Sequence, residues 1–101
     1  MSIELTIDAG DQLLPATLTM PAGAIRGGLI PLHGAAAADR SIFLYEHLAR
    51  VLPPQGIAVL RYDRRPRDGG DVPFEVQAAD AHAAVEVLRS HAGNVPIGLW
   101  G

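Results

Sequence analysis

Apolar and polar residues alternate along the first part of the chain in the pattern of a β-hairpin. Residues 2–7 alternate with the period of two that is typical of a half-buried strand. Residues 9–12 supply a polar turn, and the largely apolar residues 13–20 predict the partner strand. Segment 21–27, which contains proline and glycine, then ends the predicted hairpin.

Three later apolar segments lack this alternation, which indicates strands that are covered on both faces. They span residues 28–32, 57–62 and 97–100. Between them, residues 41–52 and 74–91 carry apolar side chains at helical spacing. A hairpin followed by strand, helix, strand, helix and strand predicts a three-layer α/β fold whose parallel strands are joined by right-handed crossovers.

Each predicted helix has an apolar stripe that should face the sheet. Ser41 is the predicted N-cap of the first helix. The stripe residues are Leu44, Leu48 and Leu52, with Tyr45 and Ala49 beside them, on the first helix, and Val76, Ala79, Ala83, Val87 and Leu88 on the second.

The composition fits a soluble globular protein and argues against several functions. Of the 101 residues, 49% are hydrophobic and 19% are charged, which is enough apolar material for a core. The net charge of −3 argues against binding to nucleic acid or to an anionic membrane surface. With no cysteine, the chain has no disulfide and no thiolate nucleophile. The start lacks a signal-peptide pattern and no apolar segment approaches the ~18 residues of a membrane span, so we expect a cytoplasmic protein.

Patterns that would hold a metal or a nucleotide cofactor are not found. The four histidines lack the short spacing of a zinc motif such as H-E-x-x-H. No predicted strand is followed by G-x-G-x-x-G or by G-x-x-x-x-G-K-[ST], and the chain contains no lysine. We therefore expect neither a metal nor a cofactor. The histidines are His33, His47, His82 and His91.

Charged residues concentrate around the end of the predicted strand 57–62. Four arginines are interleaved with two aspartates there: Arg61, Arg64, Arg65 and Arg67 with Asp63 and Asp68. Such a cluster could bind phosphate or a coenzyme A tail, but the alternation of charges favours a solvated loop that pairs with itself. All eight basic residues of the chain are arginine, which, with the frequent glycine and proline, indicates a GC-rich and therefore bacterial source.

Three segments together carry a resemblance to a known family. They are LIPLHGAAAADRS at residues 29–41, LARVLPPQGIAVLRYDRR at residues 48–65 and VPIGLWG at residues 95–101. In this order and spacing they resemble the front half of an α/β-hydrolase, in the lidless or small-lid bacterial group that includes dienelactone-hydrolase-like, acyl-thioesterase-like and serine-peptidase-like members. The resemblance covers essentially the whole chain. It implies a sheet in the order first, second, fourth, third, fifth strand, with an apolar fifth strand left at the edge.

The resemblance also implies where the chemistry lies. Gly101 matches the first glycine of the nucleophile elbow G-x-S-x-G, so the catalytic serine, the triad acid and the triad histidine are expected beyond it. Residues 1–101 are then an incomplete hydrolase domain that is truncated before the catalytic serine. Ala35 is implied to offer its backbone N–H to the oxyanion, with His33 and Gly34 leading into it.

Other residues follow or depart from the pattern of the family. Asp63 resembles an aspartate that follows this strand in many relatives, and it is expected to hold neighbouring loop amides rather than to serve as the triad acid. Residues 35–38 are alanine where the family is richer in glycine, and residues 65–70 replace an R-x-G-x-G pattern, which predicts a different rim of the substrate site. Pro31 stands in a strand that should be central, where its missing N–H is unfavourable.

Three hypotheses on function remain open. In the first, the chain is the amino-terminal part of a serine hydrolase that cleaves an ester, thioester or amide of a small carboxylic acid, and residues 1–101 alone are inactive. In the second, the parent protein is a non-catalytic member of the same fold that binds small molecules. In the third, the chain is a complete small flavodoxin-like binding domain.

Overall fold

A five-stranded sheet with a helix on each face makes up the described part of the chain, residues 1–32, 40, 43–65 and 72–100 of a computed structural model. Every predicted strand and helix is present, and its ends lie within two residues of the predicted ones. Ser41, the predicted N-cap, lies outside the described residues. The elements are β1 (Ser2–Asp8), β2 (Leu13–Thr19), β3 (Gly27–Pro31), α1 (Phe43–Val51), a short 3-10 helix (Pro53–Gln55), β4 (Ile57–Tyr62), α2 (Phe74–Ala92) and β5 (Ile97–Trp100).

The strands are arranged in the order β1-β2-β4-β3-β5, as the sequence predicted. The β1–β2 and β2–β4 pairs are antiparallel, whereas β3 is parallel to both β4 and β5. The crossovers from β3 to β4 and from β4 to β5 run in opposite directions across the sheet. Because such crossovers are right-handed, they place α1 and α2 on opposite faces. The predicted three-layer α/β fold is therefore confirmed.

A tight turn joins β1 to β2. The N–H of Gly10 donates to Asp8 Oδ1 over 2.9 Å, and the N–H of Ala9 donates to the Gln12 carbonyl over 2.9 Å. Gly10 has a φ of +94°, which glycine adopts without the steric cost that a Cβ atom brings. The turn therefore has a defined shape that holds Asp11 at its tip.

The main hydrophobic core lies between the sheet and α2. A glycine at position 28 lets the helix approach β3 closely, because a Cβ atom there would lie 2.7 Å from Leu88 Cδ2. The largest core side chains on this face have essentially no exposed surface, so they supply most of the hydrophobic stabilisation. They are Ile7, Leu14, Leu18, Ile30, Leu60 and Leu88.

The predicted stripe of α2 is only partly correct. Leu88 is buried as expected, but Ala79 is exposed. The remaining buried positions are Asp80, Ala81 and Ala84. Asp80 can be buried in the stripe because its carboxylate pairs with the buried guanidinium of Arg65. Hydrophobic periodicity cannot reveal such a partner. No helix in the described ranges is long and apolar enough to cross a membrane.

The predicted stripe of α1 is also narrower than expected. Tyr45 and Ala49 are buried, but Leu44 is 42% exposed, and Leu48 and Leu52 are only partly buried. Among the described elements the helix packs mainly on β4, and the side of α1 that carries Leu44 faces solvent. The expectation that Leu44 faces the core is therefore wrong for this chain.

Pro31 is the last residue of β3, and the pairing of β3 with β4 ends before it. The pairing of β3 with β4 stops at Leu29, whereas the pairing with β5 continues to Pro31. The N–H groups of Gly28 and Leu32 donate to β5 or to the residue before it, so the nitrogen of Pro31 faces the β4 side. Because proline has no N–H to donate, the pairing with β4 ends here, while the pairing with β5 continues on the other side of the strand.

Strand β5 lies at the edge of the sheet, as the sequence predicted. Leu99 is 51% exposed and Trp100 is 44% exposed, although both are large apolar residues. They point to opposite faces because successive residues of a strand alternate. Both faces of the sheet therefore carry exposed apolar surface beside β5.

Candidate functional site

The exits of β3, β4 and β5 share one edge of the sheet, because the three strands are parallel. In open α/β sheets, the carboxyl ends of parallel strands are where ligands bind. Pro31 pairs with Trp100, and the N–H of Leu32 donates to the Trp100 carbonyl over 2.6 Å. The ends of β3 and β5 therefore lie side by side at this edge.

The predicted site residues begin immediately after these anchors. His33, Gly34 and Ala35 follow Leu32, and Gly101 follows Trp100. All four predicted residues lie outside the described part of the chain. Their roles stay predictions, and the structure supplies the positions of the residues that precede them.

Tyr45 holds the end of β3 from the α1 face. Its hydroxyl donates to the Leu32 carbonyl over 2.8 Å, and its side chain is buried, with 6% exposed. Both backbone polar groups of Leu32 are therefore bonded, one to β5 and the other to α1. Sequence reasoning placed Tyr45 only in the apolar stripe. The sequence does offer a signal for this contact, because a tyrosine in an apolar stripe is buried and a buried tyrosine hydroxyl usually has a hydrogen-bond partner.

Asp63 follows β4 directly and holds a backbone amide from the loop before α1. Its Oδ1 accepts the N–H of Arg40 over 2.9 Å, and its Oδ2 pairs with the Arg40 guanidinium. Arg40 Nε also donates to Thr17 Oγ1 over 3.0 Å, which ties the same loop to β2. The expectation that Asp63 holds loop amides is confirmed for the backbone amide of Arg40.

Arg65 is buried, which corrects the prediction of a solvated arginine loop. Its guanidinium donates to both carboxylate oxygens of Asp80, at 2.8 Å from Nε and 2.8 Å from Nη2. It also donates to both oxygens of Asp11, at 2.8 Å from Nη1 and 3.0 Å from Nη2. These hydrogen bonds raise the pKa of the guanidinium. The partners come from α2 and from the β1–β2 turn, so local charge alternation could not identify them.

The other charged residues of this cluster differ in their surroundings. The Arg61 side chain is 11% exposed, and its Nη1 donates to the Arg40 carbonyl over 3.1 Å. The solvated-loop prediction is therefore wrong for Arg61 as well as for Arg65. Arg67 and Asp68 lie outside the described residues.

A cavity of about 470 Å³ opens between α2 and the carboxyl edge of the sheet. Its lining is mainly apolar and includes Leu32, Tyr62, Phe74, Val85 and Leu99. Burial, together with the nearby Asp80 carboxylate, raises the pKa of Tyr62 to about 12. The phenol is therefore protonated at neutral pH and well above it.

The histidines that the structure describes stand apart from this edge or on its outer rim. His47 lies on α1, where its ring stacks with Phe43, and His91 Nδ1 lies 3.0 Å from the Val87 carbonyl on α2. His82 Nε2 lies 3.8 Å from Glu86 Oε1 at the surface, and its side chain also lines the cavity. Across the described ranges, no group of three or more histidine, cysteine, aspartate or glutamate side chains is arranged to hold a metal ion.

Comparisons with known proteins give structural neighbours but no match by sequence. No protein-family model matches the chain, and no curated protein matches it. It is similar to a lidless α/β serine hydrolase from Xanthomonas campestris, with 21% identity and a TM-score of 0.77, over 97% of this chain and 49% of that one. A dienelactone hydrolase from Anabaena variabilis has 19% identity and a TM-score of 0.80, over 98% of this chain and 50% of that one.

A thermostable carboxyl esterase from Bacillus coagulans, solved with glycerol, gives the same result. Its identity is 19% and its TM-score 0.79, over 99% of this chain and 36% of that one. The chain therefore spans half or less of the length of these three structures. At these identities the likeness is one of fold.

Proposed function

We propose that this chain, which has the α/β-hydrolase fold, is the amino-terminal part of a serine hydrolase that cleaves an ester, thioester or amide bond of a small carboxylic acid derivative. The observation that carries the proposal is the hydrogen bond from the Leu32 N–H to the Trp100 carbonyl. This bond holds the ends of β3 and β5 next to each other. In α/β-hydrolases an oxyanion donor follows the first of these strands and the nucleophile follows the second.

The proposed reaction is acyl transfer through a serine. A serine hydroxyl attacks the acyl carbon, a histidine accepts its proton, and backbone N–H groups stabilise the oxyanion that forms. In this proposal Gly101 is the first glycine of the nucleophile elbow, and the serine, the acid and the histidine follow it. Ala35 supplies one oxyanion donor from its backbone, and His33 and Gly34 lead the chain to that position.

The anchoring of Leu32 supports the assignment of Ala35. Donors that stabilise an oxyanion are effective when they are fixed before the reaction begins. Tyr45 bonds the carbonyl of Leu32, and Trp100 accepts its N–H, so the chain enters the segment 33–35 from a fixed residue. A fixed entry is what a preorganised donor requires.

Residues 1–101 are proposed to be an incomplete domain. Leu99 and Trp100 leave apolar surface exposed on both faces of the edge strand β5. A further right-handed crossover beyond β5 would place its helix on the α2 face, against Leu99. We therefore expect residues 1–101 alone to be marginally stable or oligomeric and to lack esterase activity. A monodisperse monomer that melts cooperatively would contradict the incomplete-domain proposal.

The proposal is tested by reading the coding sequence past the codon for Gly101 and expressing the complete gene product. We expect x-Ser-x-Gly to follow, with a histidine well downstream, and hydrolysis of short-chain p-nitrophenyl esters. Thioesters and anilides of the same acids then decide the bond type. A residue other than serine, cysteine or aspartate at the elbow would favour a non-catalytic binding protein. A stop codon would favour the complete flavodoxin-like domain and contradict the proposal.

A further inference from the structure

We propose that Arg65 is a positioning residue that fixes the exit of β4 and thereby shapes the substrate-binding rim, an inference that rests on the proposed function. Arg65 follows β4 by three residues and lines the cavity at the carboxyl edge, together with Leu32 and Leu99. It therefore lies at the same edge of the sheet as the exits of β3 and β5. The chain that leaves β4 borders the place where we propose that the reaction occurs.

The contact with Asp80 ties Arg65 to α2. The two side chains are 10% and 6% exposed, and two hydrogen bonds of 2.8 Å join them in a bidentate pair. The planar guanidinium matches a carboxylate in two places, which fixes the orientation as well as the distance. A lysine at position 65 could not reproduce this geometry.

The contact with Asp11 ties the same guanidinium to the β1–β2 turn. Asp11 is itself largely exposed, with 68% of its side chain accessible, but both of its carboxylate oxygens accept from Arg65. One arginine thus joins three parts of the chain that are far apart in sequence: the turn, the exit of β4 and α2. All four hydrogen bonds use oxygens of the two aspartates, so the guanidinium is occupied by protein groups rather than left for a ligand.

The position of Arg65 predicts which kinetic constant depends on it. The exits of β3 and β5, where the proposed donor and nucleophile begin, are held by the Leu32 contacts and not by Arg65. Loss of the arginine should therefore loosen the rim without moving the reacting groups. Weaker binding that is equal in the ground state and the transition state raises KM and leaves kcat unchanged.

A double variant separates positioning from stability. Removing one partner of a buried ion pair leaves an uncompensated charge, whereas replacing both partners by apolar residues is often neutral. In the complete gene product, Arg65→Met and Asp80→Leu should each lower the urea midpoint, and the double variant should recover most of it. Its KM for a p-nitrophenyl ester should still be several-fold above the wild-type value, because the exit of β4 has lost its tie to α2 and to the turn, with kcat within about twofold.

The matched control is Arg50→Met, which removes an exposed arginine from α1 whose guanidinium, among the described residues, bonds only His47 of the same helix. It should change neither KM nor the urea midpoint. Recovery of the wild-type KM in the double variant would overturn the inference, because Arg65 would then act on stability alone. A fall in kcat at unchanged KM would overturn it as well, because the rim would not be what depends on Arg65.

Hydrogen exchange distinguishes failure of this inference from failure of the proposed function. Deuterium uptake in peptides covering residues 8–13 should be faster in the double variant than in wild type, because the turn has lost its tether. Equal uptake would overturn the role of Arg65 whether or not the protein is an enzyme. If the wild-type protein hydrolyses no substrate but the uptake differs, the proposed function fails while the tether stands.

Discussion

The hydrogen bond from Tyr45 to the Leu32 carbonyl can be removed almost without changing the shape of the side chain. Tyr45→Phe keeps the buried ring and deletes only the hydroxyl, which lies 2.8 Å from its acceptor. The carbonyl then loses a partner, a loss of about 1 to 3 kcal/mol when the acceptor is buried. Because Leu32 is only partly buried, water can replace part of the bond, and we expect about 1 kcal/mol.

A loss of this size is measurable by urea unfolding of the complete gene product. With a slope of about 2 kcal/mol per molar urea, the midpoint should fall by about 0.5 M. The control is Phe43→Leu on the same helix, an exposed position where we expect a change within about 0.5 kcal/mol. This comparison separates loss of the hydroxyl from a general disturbance of α1.

The same variant tests whether the Leu32 anchor serves the reaction. Deleting an entire oxyanion donor lowers kcat by about 10² to 10³, so a donor that is displaced rather than deleted should cost less, about tenfold. KM should not change, because the donor acts on the transition state. An unchanged midpoint together with an unchanged kcat would refute the reasoning that Tyr45 fixes the entry to residues 33–35.

Two further predictions concern packing and charge. Gly28→Ala should destabilise the complete protein by about 1 to 3 kcal/mol in urea unfolding, because its Cβ atom would lie 2.7 Å from Leu88 Cδ2. The double variant Gly28→Ala, Leu88→Ala should lose less free energy of unfolding than the two single variants together. Strictly additive losses would contradict the contact between positions 28 and 88. Hydrogen bonds from Arg65 hold the pKa of the exposed Asp11 below its usual value. The ionised Asp11 therefore stabilises the folded protein above the pKa that it has in the unfolded chain, and this stabilisation is lost as the pH falls through its lower pKa in the folded protein. Wild type and Asp11→Asn should differ in urea midpoint at neutral pH and converge as the pH falls below the lowered pKa of Asp11, and a difference that grows with acid would contradict this.

Much of the fold could be predicted from the sequence because its signals are local. The period of two in residues 2–7 and the apolar runs at 28–32 and 57–62 each indicate a strand from a few neighbouring residues. Crossover handedness and the resemblance to the hydrolases then limited the possible strand orders, and the predicted order is the one observed.

The features that could not be predicted depend on contacts between distant parts of the chain. The burial of Asp80 on α2 becomes understandable only with its partner Arg65, which lies 15 residues earlier in the chain, after β4. Tyr45 was placed in a stripe without the carbonyl that its hydroxyl bonds. Leu44 was expected in the core because its spacing is helical, but spacing does not tell how many neighbours cover a helix.

The most direct test of the central claim is covalent labelling of the complete gene product with a fluorophosphonate, followed by mass spectrometry of its peptides. This reagent reacts with serines that are activated as nucleophiles, so it reports the residue and not only the activity. The account predicts a single labelled serine at the second residue after Gly101, with labelling abolished when that serine is replaced by alanine. Absence of label, or label on Ser2, Ser41 or Ser90 instead, would contradict it.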